Sequence, residues 1–131
     1  MNGFTAGIIY FALVFAAGFV LGSIRTLLLM PVLGPTVSVL IELPFMLTIA
    51  WFVCRWIVRR FTVSAAVEDR IIMGATAFVL LMVAEYLLAF ALAGISPDIY
   101  FAGYASVPGV IGLAGQVAFA VFPVLQARQT G

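Results

Sequence analysis

Four stretches of this chain run for about twenty residues or more with scarcely a charge, the length an α-helix needs to cross the hydrocarbon core of a bilayer. The first covers residues 4–30 and is interrupted by Pro31 and Gly34-Pro35. The second covers 36–58 and is closed by Arg59-Arg60. The third, 71–94, follows the polar cluster Glu68-Asp69-Arg70, and the fourth, 107–125, is glycine-rich and carries Pro123. Hydrocarbon offers no partner to a free peptide N–H or C=O, so each stretch must satisfy its backbone internally, as a helix does. The expected fold is therefore all-α: one domain over residues 1–131, a polytopic four-helix transmembrane bundle.

Composition agrees with that solvent. Of 131 residues, 66% are hydrophobic and 8% charged, whereas a soluble domain carries roughly a quarter charged residues. Mean hydropathy is +1.29. The N-terminal apolar run has no basic segment before it and outlasts the hydrophobic part of a signal peptide, so it is expected to remain as the first span.

Charge placement sets the expected orientation. Arg55, Arg59, Arg60 and Arg70 cluster around the connection between the second and third stretches, whereas the connection after the third carries Asp98 and no basic residue. Cytoplasmic loops collect basic residues. Both termini are then cytoplasmic, with Arg128 in agreement, and the expected location is a bacterial inner membrane. Tyr100 and Tyr104 fall at the outer interface and Trp56 at the inner one. The outer connection also carries Ser96-Pro97-Asp98, a turn or the start of a short helix.

Several functions are disfavoured. The chain has no His and one cysteine, Cys54, which removes the commonest general base, the commonest metal ligand and any intrachain disulfide. No nucleophile elbow, phosphate loop or metal-ligand spacing occurs. No enzymatic activity, cofactor or metal is expected. A net charge of +1 gives no footprint for nucleic acid. The expected partners are the bilayer itself and a second copy or a larger membrane complex.

Each apolar stretch nevertheless holds one charged or amide side chain at a similar distance from its outer end: Arg25, Glu42, Glu85 and Gln116. Ionisable groups inside a membrane are costly and face the bundle interior or a cavity. Arg25 shares a stripe with Gly18 and Gly22, and Gln116 shares one with Gly109 and Gly112, small residues that allow helices to approach closely. A guanidinium can hold a carboxylate through two hydrogen bonds, so Arg25 is expected to pair with Glu42 or Glu85, leaving one acid in excess. Pro44 and Pro123 are expected to kink their helices because proline cannot donate to the preceding turn.

Two functions fit this layer. In the first, Arg25, Glu42, Glu85 and Gln116 bind an ion, proton or small solute in a channel or transporter, with Gly109, Gly112 and Gly115 as a possible dimer contact. In the second, the chain is a non-catalytic accessory or scaffolding subunit and the charges are glue between helices. A polar cavity open from the layer to the outer surface would favour the first, and a closed, paired cluster the second. Phe11, Phe15 and Phe19 form a stripe expected to face lipid or another chain.

Overall fold

The computed structural model describes residues 2–130; the side chains of Leu92, Ala93, Arg128, Gln129 and Thr130 lie outside the described set, and with them the expectation attached to Arg128. Among the described residues the chain is helical throughout, with no strand. Four helices are long and apolar enough to cross a membrane. They are α1 (Gly3–Leu33), α2 (Pro35–Arg60), α3 (Val67–Ala93) and α5 (Val107–Thr130); α4 (Pro97–Ala102) is a short helix in the connection before α5.

Helix ends follow local chemistry. Asn2 starts α1, its side-chain oxygen accepting the Thr5 N–H at 2.8 Å. Pro31 does not end α1. A π-helical turn over Arg25–Leu29, closed by the Met30 N–H on the Arg25 carbonyl, carries the helix through the proline to Leu33. Gly34 then makes the sharp corner into α2 at φ 83°, a left-handed geometry that disfavours any side chain. Gly94 ends α3 in the left-handed helical region, at φ 64° and ψ 23°. Ser96 precedes Pro97 at the start of α4, so the Ser96-Pro97-Asp98 signal is the start of a short helix. Ser106 accepts the Gly109 N–H at 3.2 Å and opens α5.

The long helices close into a ring in the order α1, α2, α5, α3. Helices joined across the upper connections, α1 with α2 and α3 with α5, lie antiparallel. The pairs α1–α3 and α2–α5 lie parallel, as Gly3 beside Asp69 and Gly7 beside Met73 show for the first. Missing side chains set these approaches. A Cβ on Gly3 would collide with the Asp69 carbonyl, one on Gly74 with the Ala120 carbonyl, and one on Gly7 would sit 2.7 Å from the Met73 carbonyl oxygen. Such close range lets dispersion contribute strongly to the attraction between these helices.

The diagonal helices do not touch through their backbones; side chains fill the space between them. Tyr10, Cys54, Ile57, Met73, Ala77 and Phe119 form that centre, none more than 3% exposed. The Tyr10 ring stacks on Phe119 with centroids 4.3 Å apart. Phe11 and Phe15 also pack against this core, so that the aromatic stripe of α1 turns partly inward and Phe19 alone of the three is freely exposed. The stripe is wider than one face: a spacing of four residues drifts around a helix of 3.6 residues per turn.

Candidate functional site: a polar layer at one end of the bundle

The four polar side chains are distributed one to a helix and make two pairs. Arg25 on α1 forms an ion pair through Nε with Glu42 Oε2 on α2. Gln116 on α5 donates its amide to Glu85 Oε2 on α3. Of the two carboxylates, Glu42 is therefore the partner of Arg25. Glu85 takes a neutral donor and lies within electrostatic range of both Arg25 and Glu42. Each pair thus joins the two helices of one hairpin.

The level of the layer follows from helix geometry. Glu85 stands ~24 Å above Asp69, and Glu42 ~26 Å above Arg59, at 1.5 Å rise per residue. Leu43, next to Glu42, reaches into the gap left by Gly115, next to Gln116, which places both hairpins at one height. Gly18 and Gly22 flank the first pair: a Cβ on Gly22 would lie 3.6 Å from Arg25 Nη2, and one on Gly18 would lie 3.4 Å from Met46 Cε.

The layer is paired but not sealed. The Arg25 side chain is 30% exposed and Glu42 16%. Oε1 of Gln116 is buried without a hydrogen-bond partner among the described residues. Beyond Glu85 stands an aromatic cluster: Tyr86 lies edge-on to Tyr100 at 5.4 Å, and the Tyr100 and Tyr104 hydroxyls meet at 3.0 Å. Burial, and then the hydrogen bond with Tyr104, push the Tyr100 phenol above its ordinary range, so it stays protonated at neutral pH.

Two of the three glycines of α5 lie in close contact within the chain. Gly109 lies against the Gly103 carbonyl and Gly115 against Leu43, whereas Gly112 has open space where a side chain would go. Pro44 and Pro123 both lie inside continuous helices.

Pro123 has a consequence that its position alone does not reveal. It has no N–H to give to Phe119, and the Tyr10 hydroxyl donates to that carbonyl at 2.7 Å. The Pro123 carbonyl in turn accepts Arg70 Nη1 at 2.9 Å. Arg70, expected among the surface charges of a connection, is 1% exposed. Its Nε donates to the Ser64 carbonyl at 2.9 Å and its Nη2 reaches the Val63 carbonyl at 3.5 Å. The guanidinium thereby ties the α2–α3 connection and α5 together at the end opposite the polar layer. Its position after two acids reads as a helix start, and its acceptors are backbone carbonyls, one of them 53 residues away at Pro123, so the sequence holds little signal for this role.

No family model, curated protein or solved structure matches the chain. No group of three or more potential metal-ligating side chains gathers among the described residues. The class of protein rests on the fold: an all-helical chain with four helices fit to cross a membrane.

Proposed function

We propose that this chain is a non-catalytic integral membrane protein, an accessory or scaffolding subunit, whose polar layer clasps its two helical hairpins. The observation that carries the reading is the pairing itself. Arg25–Glu42 joins α1 to α2 and Gln116–Glu85 joins α3 to α5. Below the layer the centre of the ring is filled by the buried side chains of Tyr10, Met73, Ile57 and Phe119, packing that supports a closed bundle in preference to a pathway. A hydrocarbon core of about 30 Å starting at the Arg59 and Asp69 level would put the layer near its opposite boundary, where a partly exposed ion pair costs least.

A second reading, an ion or solute site reached from that boundary, is favoured by the exposed part of Arg25 and the unpartnered Gln116 oxygen. Flux measurements on purified protein in liposomes separate the two. The accessory reading predicts no flux for a broad panel of ions and protons, and variants Arg25→Gln, Glu42→Gln and Glu85→Gln that are merely less heat-stable. A pH-dependent flux in the parent, lost in a variant that still folds, would overturn it in favour of transport.

The arginines favour the α2–α3 connection on the cytoplasmic side of a bacterial inner membrane, with both termini on that side. With Cys54 replaced by Ala, a membrane-impermeant thiol reagent applied to intact cells should label Asp98→Cys and spare Ser64→Cys. The reverse pattern would invert the topology.

A further inference from the structure

The end of α2 presents a face that the polar layer does not use. Phe52, Arg55, Trp56, Arg59 and Arg60 recur at helical spacing and line one groove of about 520 Å³. Phe52 is 61% exposed and Trp56 52%. Phe61 braces the lower edge, edge-on to Trp56 with centroids 5.8 Å apart and 5.6 Å beneath the Arg60 guanidinium.

Among the described residues no acid forms an ion pair with these cations. Arg25–Glu42 is the one ion pair among the described residues. Glu68 and Asp69, the acids nearest in sequence, begin α3, which lies diagonally across the ring from α2. Three guanidiniums within six residues would repel one another unless an anion were placed among them. The apolar half of the groove points to the source of that anion: an inorganic ion gains nothing from an exposed phenylalanine and tryptophan, whereas a lipid does.

We infer that this face of α2 binds an anionic phospholipid, its phosphate held by Arg55 and Arg59 and its glycerol and upper acyl region laid against Phe52 and Trp56. Guanidinium forks match phosphate oxygens in pairs, and a tryptophan at headgroup level sits half in hydrocarbon. Arg60, held over Phe61, closes the groove on the water side. The inference rests on α2 spanning a bilayer and is independent of what the polar layer does.

Trp51→Phe leaves Trp56 as the single tryptophan of the two and keeps an aromatic ring at position 51 against Phe122. Its fluorescence is then measured in phosphatidylcholine vesicles doped with brominated phosphatidylglycerol or with brominated phosphatidylcholine. The expected result is preferential quenching by the anionic lipid, about fivefold in relative affinity for each guanidinium engaged, and loss of the preference in R55Q/R59Q. Equal quenching by the two lipids in the parent, or a preference that survives R55Q/R59Q, would overturn the inference. Loss of the preference in sodium phosphate, but not in sodium chloride of equal ionic strength, would overturn it in favour of a free phosphate site. Native mass spectrometry of the unaltered chain and of R55Q/R59Q, each with added phosphatidylglycerol, gives the same reading without the tryptophan change: the parent should retain the lipid and the variant should not.

Discussion

Tyr10 serves a carbonyl that a proline left empty. The hydroxyl reaches Phe119 O because Pro123 has no N–H to give, and the two residues lie far apart in sequence. An unpaired buried carbonyl costs about 1–3 kcal/mol. Tyr10→Phe should therefore destabilise the protein by about that much, measured by thermal unfolding in detergent. In a Pro123→Ala background, where position 123 regains its N–H, the same change should cost clearly less. An equal cost in both backgrounds would show that the hydroxyl answers some other group. At this scale the sequence was informative about which residues are unusual and silent about which of them meet. It marked Arg25, Glu42, Glu85 and Gln116 because a polar atom in hydrocarbon is conspicuous. Arg70 went unmarked as a buried residue because its partners are backbone carbonyls, which every residue has.

The helices themselves were largely legible, since an apolar run of spanning length leaves the backbone little choice. Their ends were less so. Pro31 reads as a terminator, yet the π turn at Arg25–Leu29 lets α1 continue to Leu33. Close approach was also misplaced by the sequence. Attention falls on Gly18 and Gly22 because they neighbour a charge, whereas the tightest contacts of α1 are at Gly3 and Gly7, whose four-residue spacing was the available signal. On α3 the tight position is Gly74, against the Ala120 carbonyl. Gly74→Ala should force α3 and α5 apart and cost about 1–3 kcal/mol. Gly112→Ala, made into open space, should be neutral or slightly stabilising because alanine is the better helix former. Thermal unfolding of the two variants side by side checks this, and equal effects would contradict the close approach of α3 and α5.

As a whole, the molecule is a ring of four helices fastened at both ends and filled between. At one end Arg70 gathers carbonyls from the α2–α3 connection and α5; at the other, one polar pair links the two helices of each hairpin. The helix order around the ring was not readable from sequence, because it depends on which small residues find each other. The pairing of Arg25 with Glu42 in preference to Glu85 was unreadable for the same reason: both acids lie at a suitable height, and the antiparallel α1–α2 contact decides between them.

Reversing the charges of the Arg25–Glu42 pair tests whether it acts as a clasp between helices. Arg25→Glu alone sets two acids face to face, Glu42→Arg alone sets two guanidiniums face to face, and the double change restores an opposite pair in the reverse sense. Thermal unfolding in detergent should show each single variant clearly less stable than the parent and the double variant recovering most of the loss. Single variants as stable as the parent, or a double variant no better than the worse single, would contradict the clasp.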